Sequence, residues 1–206
     1  MHRRLKCIML VGLVLCQASI AWATTYAIDP DHTTVSFKIR HLFSKVEGTF
    51  DQVEGQFDYV PGHSEQWKAA ATIQATSINT RVAPRDKHLR SADFFDVGRY
   101  PTMTFTSTEV TDATETSATL HGLLTIRGVA KPVMLDLAFH GEGKDPWGNV
   151  RSGFTATTRI NRKDFGLTWN QALEAGQLLV GDDVDITLEI EGVVKPPSVT
   201  AGPGAS

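Results

Sequence analysis

Hydrophobic and polar residues alternate with a period of two along most of the chain after Thr33. This pattern is typical of half-buried β-strands, in which successive side chains point to opposite faces of the sheet. The clearest runs are 35–39, 46–50, 55–59, 67–75, 103–105, 120–126, 133–139, 154–160 and 184–190. Turn residues, such as Pro61 and Gly62, separate the runs. The pattern predicts an all-β fold of eight or nine antiparallel strands.

Two segments interrupt the alternation. Residues 79–96 are rich in charge and predict a short helix after Pro84, whereas residues 169–179 predict either a second short helix or an irregular loop. The sequence contains no internal repeat and no linker wide enough to divide it, so a single domain is expected over residues 24–194. Residues 195–206 are rich in proline and glycine and predict a disordered tail.

An antiparallel sheet of this size must close on itself or pack against a second sheet to hide its edges. Glycines within or beside the strands favour closure, because barrels bend at such positions. These are Gly48, Gly55, Gly122, Gly128, Gly141 and Gly153. The side chains expected to point inward mix large with small: Phe37, Phe50, Phe57 and Phe105 against Ala69, Ala71, Ala75 and Ala156. Small inward residues leave room for one ligand inside an eight-stranded barrel, although the pattern alone leaves a β-sandwich open.

The first residues have the features of a secretory signal peptide. Arg3, Arg4 and Lys6 precede an apolar run at 8–15 that is too short to cross a bilayer. Small residues then flank Trp22 in the pattern that signal peptidase reads, so we expect residues 1–23 to be cleaved and the protein to be exported. A lipoprotein anchored through Cys16 is the weaker alternative, because the preceding leucine is larger than lipoprotein processing requires.

Cleavage after Ala23 would change the composition in two ways. Both cysteines, Cys7 and Cys16, would be lost, so the stability of the mature domain would depend on its core and not on disulfides. The mature chain would keep 17 basic residues against 23 acidic ones, a net charge near −6. That charge disfavours nucleic acid and anionic membrane surfaces as general partners, so an anion would need a local basic cluster. No later apolar stretch is long enough to span a membrane.

Such a cluster lies in residues 85–96. Its basic and histidine side chains are Arg85, Lys87, His88 and Arg90. Arginine binds phosphate or carboxylate through paired hydrogen bonds, and adjacent aromatic rings such as Phe94 and Phe95 suit an apolar pocket. The cluster therefore predicts a cavity mouth that holds a polar head group while an apolar body enters. The alternative is a solvated face whose charges pair with neighbouring aspartates.

The sequence carries no recognisable catalytic or metal motif. It has no Gly-x-Ser-x-Gly elbow, P-loop or dinucleotide-binding glycine motif, and the kinase-like run 164–166 lacks the other kinase motifs. The histidines form neither His-x-His nor His-x-x-x-His pairs. We therefore expect no catalytic residue, no metal and no cofactor, with a zinc site assembled from distant histidines left open.

Four separated motifs occur in a characteristic order. They are Tyr26-Ala27-Ile28-Asp29 with His32, the block from Arg85 to Phe105, Leu124-Thr125-Ile126-Arg127-Gly128-Val129, and Asn161-Arg162-Lys163-Asp164-Phe165-Gly166. Together they resemble the YceI family of lipid-binding periplasmic proteins from about residue 26 to about residue 191. The resemblance implies a lipocalin-like, eight-stranded antiparallel barrel with short helical insertions. It also implies a periplasmic protein that sequesters or transports a polyisoprenoid, an isoprenoid quinone or a fatty-acid derivative.

The resemblance also guides the choice of site residues. It favours an ion pair between Arg85 and Asp86 at the entrance, with His88 or Arg90 facing the head group. Of Phe94 and Phe95, one is expected to line the cavity and the other to plug the charged segment onto the barrel. The remaining expected contacts are Phe37, Phe50, Ala71, Phe105, Phe165 and Trp169.

The expected partner is thus an apolar, chain-like lipid, with no nucleic acid and no membrane span. A homodimer is left open. The alternatives are an interaction module with a filled barrel and a lipid-processing hydrolase. A packed interior would favour the first, and an ionisable pair at the cavity floor would favour the second.

Overall fold

The computed structural model describes residues 23–173 and 178–195. The predicted signal peptide, apart from Ala23, and the predicted tail beyond Lys195 lie outside these ranges. Both remain predictions.

Over the described ranges the chain forms eleven strands and one α-helix. The strands are β1 (Thr24–Ile28), β2 (Thr34–His41), β3 (Ser44–Phe50), β4 (Val53–Tyr59), β5 (Lys68–Gln74), β6 (Ile78–Asn79), β7 (Thr102–Thr111), β8 (Ser117–Ile126), β9 (Val129–Lys144), β10 (Val150–Asn161) and β11 (Val180–Val194). Helix α1 (Ala83–Arg90) follows β6. Four 3-10 turns lie at Pro30–His32, Ser64–Gln66, Ala75–Ser77 and Arg162–Phe165.

Antiparallel pairing closes the strands into one barrel. The order is β1-β4-β5-β7-β8-β9-β10-β11, and β11 returns to pair with β1, placing Val194 opposite Tyr26. Strand β2 pairs with β11 and β3, and β3 pairs with β6. Because β1–β2, β3–β4 and β5–β6 follow one another with short breaks, each pair acts as one long strand. The eleven segments thus confirm the predicted eight-stranded antiparallel barrel and exclude the β-sandwich.

The insertions also match their predictions. Helix α1 places Pro84 in its first turn, where a missing N–H leaves no helical hydrogen bond unmade. Of residues 169–179, those described form an irregular loop, closed by a bridge between Ala172 and Leu178. Chain connectivity brings α1, this loop and the β2–β3 turn to one end of the barrel, which we call the helix end.

Three inward-facing glycines lie directly beneath aromatic rings of nearby strands. A Cβ atom at Gly48 would lie 2.5 Å from the Phe37 ring, and one at Gly192 would lie 2.5 Å from the Phe57 ring. The Phe105 ring covers Gly122 in the same way. The absence of a side chain therefore lets each ring lie close against the barrel wall.

Candidate ligand-binding cavity

A cavity of about 350 Å³ lies inside the barrel. Its lining reaches from Ile39 and Val180 near the helix end to Tyr59 and Trp67 near the other, and most of the lining side chains are apolar. At roughly 30 Å³ for each heavy atom in a liquid-like packing, it has room for about a dozen such atoms. The cavity therefore has the size and the chemistry for a hydrocarbon chain.

The barrel residues predicted as ligand contacts all border this cavity. They are Phe37, Phe50, Ala71 and Phe105, and Ala69 and Ala156 join them. Ala75 does not line it. The strand ends at Gln74, and Ala75 begins a 3-10 turn, so its side chain packs in the core at 1% exposure. The expectation that Ala75 leaves open space is therefore wrong.

The end opposite α1 is filled by an aromatic cluster. Tyr26 is fully buried and stacks on Phe57, with ring centroids 5.1 Å apart, while Tyr59 packs between Trp67 and Phe139. The Tyr26 hydroxyl donates to Glu142 Oε2 at 2.5 Å. Burial first, and then this hydrogen bond, raise the pKa of Tyr26 far above its usual range. The tyrosine therefore stays neutral, and the cluster forms an apolar floor.

At the helix end, Arg85 and Asp86 are joined through Thr80 and do not form the expected direct ion pair. Arg85 Nε donates to Thr80 Oγ1 at 2.7 Å, and Nη2 donates to the Thr80 carbonyl at 2.8 Å. Asp86 Oδ1 accepts from the Thr80 N–H and hydroxyl at 2.9 and 2.5 Å. Because Thr80 and Asp86 are buried, these hydrogen bonds fix α1 to the end of β6. Arg85 is thereby held at the cavity, which it lines.

His88 forms the centre of an aromatic group at the same end. Its ring meets Phe94 and Trp169 edge-on, with centroids 5.0 and 4.9 Å away, and Phe94 and Trp169 are 5.2 Å apart. His88 Nε2 lies 2.9 Å from Asp93 Oδ2. All three rings line the cavity, so the fold brings together segments 85–96 and 161–170.

Arg90 points away from the cavity, which corrects its predicted role. Its Nε donates to the Thr76 carbonyl at 2.7 Å, and Nη2 donates to the Ile78 carbonyl at 2.6 Å. Residues two apart on a helix face different directions, so only one of His88 and Arg90 could face inward. His88 is the one that does, and Arg90 anchors the end of α1 to the barrel wall.

Phe94 and Phe95 both line the cavity, in contrast to the expectation of one in each role. Phe95 meets Phe50 edge-on with centroids 5.5 Å apart, so it caps the barrel interior. Phe165 also lines the cavity and is buried at 2% exposure. It lies in the predicted turn, in which Asn161 accepts from the Lys163 N–H and Gly166 has a φ of 76°.

Arg162 also lines the cavity, and it was not among the predicted site residues. Its side chain is 4% exposed, and it donates to the carbonyls of Gly181, Leu167 and Trp169 at 2.8, 2.6 and 2.8 Å. Burial lowers its pKa, and Asp182, 3.4 Å from Nη2, opposes that shift. It continues the inward alternation of β10 beyond Ile160, a signal that could have identified it.

One group among the described residues could offer metal ligands: Asp29, His32 and Glu191. Arg151 Nη1 donates to Asp29 and Glu191 at 2.6 and 2.7 Å, and its Nε donates to Asp145 at 2.9 Å. These hydrogen bonds hold the pKa values of Asp29 and Asp145 below their usual range. The Arg151 guanidinium thus already supplies, between these carboxylates, the positive charge that a metal ion would bring.

No helix in the described parts of the chain is long and apolar enough to cross a bilayer.

Comparison with known proteins identifies the family. The sequence profile of the YceI-like domain matches residues 26–192. The chain is 42% identical over 190 residues to a UPF0312 protein of Ectopseudomonas mendocina strain ymp, covering 89% of this chain and 96% of that relative. The crystal structure of the Campylobacter jejuni YCEI protein is 29% identical, with a TM-score of 0.66 over 92% of this chain and 100% of that one. A polyisoprenoid binding domain from Saccharophagus degradans shares the fold, with 16% identity and a TM-score of 0.62 over 84% and 99% of the two chains. The profile and the full-length relative agree in extent, and the chain belongs to the YceI family.

Proposed function

We propose that the barrel binds an apolar, chain-like lipid and sequesters or carries it in the periplasm without making or breaking a bond. The ligand class is a polyisoprenoid, an isoprenoid quinone or a fatty-acid derivative. The observation that carries the proposal is the cavity of about 350 Å³, lined mostly by apolar side chains and closed by aromatic rings at its floor. Family membership supports it.

The cavity is large enough to supply useful affinity. Each buried methylene contributes about 0.8 kcal/mol, so a dozen contribute about 10 kcal/mol before the cost of ordering the chain. After an ordering cost of about 4 kcal/mol, about 6 kcal/mol remains, which corresponds to a dissociation constant of tens of micromolar. Chain length is therefore the property that the cavity selects.

The helix end supplies the polar contacts. Nη1 of Arg85 takes no part in the two hydrogen bonds to Thr80, which use Nε and Nη2. His88 also lines the cavity. A guanidinium and an imidazole can both donate hydrogen bonds to a phosphate, a carboxylate or a quinone carbonyl. A ligand would thus enter with its chain toward the aromatic floor and its head group near Arg85 and His88.

Native mass spectrometry of the protein purified from its own host tests this function. The expected result is a co-purifying mass that is lost on denaturation and identified as a chain lipid. The stripped protein is then titrated with the recovered lipid. A protein that carries no lipid and takes up no chain lipid after purification would support the filled-barrel interaction module instead.

A further inference from the structure

Phe43 is the most exposed of the large hydrophobic side chains that the structure describes. It stands at the tip of the β2–β3 turn and is 94% exposed. The preceding residue, Leu42, has a φ of 52°, in the left-handed region that tight turns use. An aromatic ring in this position adds nothing to the core and is available for contact outside the barrel.

The turn forms part of the cavity rim. The Leu42 N–H donates to the Leu179 carbonyl at 2.9 Å, and both His41 and Leu179 line the cavity. Leu178, next to this hydrogen bond, and Val82, at the start of α1, are also exposed hydrophobic residues. Three exposed apolar side chains, Phe43, Val82 and Leu178, therefore lie at the helix end of the barrel.

Basic side chains flank the turn. Arg40 and Lys45 face each other across the β2–β3 ladder, and both are exposed. Arg81 is also exposed and follows Thr80, whose methyl group lies beside Gly48 of β3. Lys45 pairs with Asp185, which Arg159 also contacts. The rim thus carries cations although the chain as a whole is acidic.

We propose that this rim docks on the surface of a phospholipid bilayer, with Phe43 inserted between the head groups and Arg40, Lys45 and Arg81 near the phosphates. An aromatic ring beside basic residues is the composition that binds at a membrane interface. A protein partner fits less well, because a stable protein interface buries about 800 Å² on each side, whereas the exposed apolar side chains here are few. A docked rim would let an apolar chain pass from bilayer to cavity without crossing water.

Vesicle flotation with the full chain tests the proposal, using Phe43→Ser against the matched control Trp147→Ser. Trp147 is 82% exposed on the β9–β10 turn at the opposite end of the barrel. Because burying a phenylalanine contributes about 1.5 kcal/mol or more, Phe43→Ser should weaken binding to phosphatidylglycerol–phosphatidylcholine vesicles about tenfold. Trp147→Ser should leave it unchanged. Lys45→Gln with Arg81→Gln should weaken binding to these anionic vesicles about fivefold for each charge. The same pair of substitutions should leave binding to a second vesicle type, of phosphatidylcholine alone, unchanged.

Binding of a fluorescent fatty acid in vesicle-free buffer separates this inference from the proposed function. Phe43 does not line the cavity, so Phe43→Ser should bind the probe as the unmodified chain does while taking it up more slowly from vesicles. If the unmodified chain floats with neither vesicle type, or if Trp147→Ser weakens flotation as much as Phe43→Ser, the docking surface is wrong. Flotation that depends on Phe43 in a protein that binds no probe would refute the proposed function alone.

Discussion

Replacing Ala71 with tryptophan should block ligand uptake while leaving the barrel folded. Ala71 lies on β5 between Gly55 of β4 and Phe105 of β7, and its side chain borders the cavity. An indole at this position would project into space that the protein's own side chains leave open. The substitution therefore separates the filling of the cavity from the packing of the core.

The size of the effect follows from the cavity volume. If the indole displaces as few as four methylene groups from a cavity with room for about a dozen, the loss is about 3 kcal/mol, or about 200-fold in affinity. The free energy of unfolding should change by less than about 1 kcal/mol, because no packed side chain has to move. Affinity would be measured by displacement of a fluorescent fatty acid with a series of saturated chains, and stability by urea unfolding.

A matched substitution shows whether the reasoning holds. Ala75→Trp places the same indole in packed core, because Ala75 is 1% exposed and lies outside the cavity lining. It should destabilise the fold by about 1–3 kcal/mol or more. If Ala71→Trp is equally destabilising, the site is packed and the cavity is misplaced. If it folds and still binds long chains with unchanged affinity, the ligand lies elsewhere.

Three further substitutions test parts of the structure, each by urea unfolding. Arg162→Met should lower the free energy of unfolding by about 3 kcal/mol or more, because three carbonyls lose a buried charged donor; no change would mean that water replaces the guanidinium. Ser152→Ala should raise it by about 1 kcal/mol, since its buried Oγ has no hydrogen-bond partner among the described residues; a loss would reveal a partner. Arg151 lowers the pKa values of Asp29 and Asp145. The stability that these two carboxylates give the fold through Arg151 is therefore present above about pH 4 and lost below it. Arg151→Gln should therefore lose less stability than the unmodified chain between about pH 7 and about pH 3, and an equal loss would contradict that assignment.

Periodicity was sufficient to predict most of the barrel wall, because one face of each strand meets an apolar interior and the other meets solvent. It failed where a strand depends on distant partners. Strand β1 is short, and only Tyr26 in it is buried, so its alternation is weak, yet it closes the barrel by pairing with both β4 and β11. Strand β6 has two residues, too few for any period.

The helix end could be predicted only in part. Leu89 is the one clearly apolar residue of α1, so no amphipathic pattern indicates which face of the helix turns inward. That orientation depends on Thr80, which holds Arg85 and Asp86 from outside the helix. Tertiary contacts of this kind decided that His88 faces the cavity and Arg90 does not, and local sequence carries no record of them.

The open interior is itself an argument for a ligand. Protein cores normally pack as densely as organic crystals, and residual cavity volume costs about 24 cal/mol per Å³. At that rate a dry cavity of about 350 Å³ would cost at most about 8 kcal/mol, comparable with the whole stability of a typical domain. Glycines beneath Phe37 and Phe105 keep these rings against the wall, where larger residues would push them into the cavity. The fold thus maintains a cavity that packing would otherwise remove, and the proposed hydrocarbon ligand would make the contacts that core side chains make in a filled barrel.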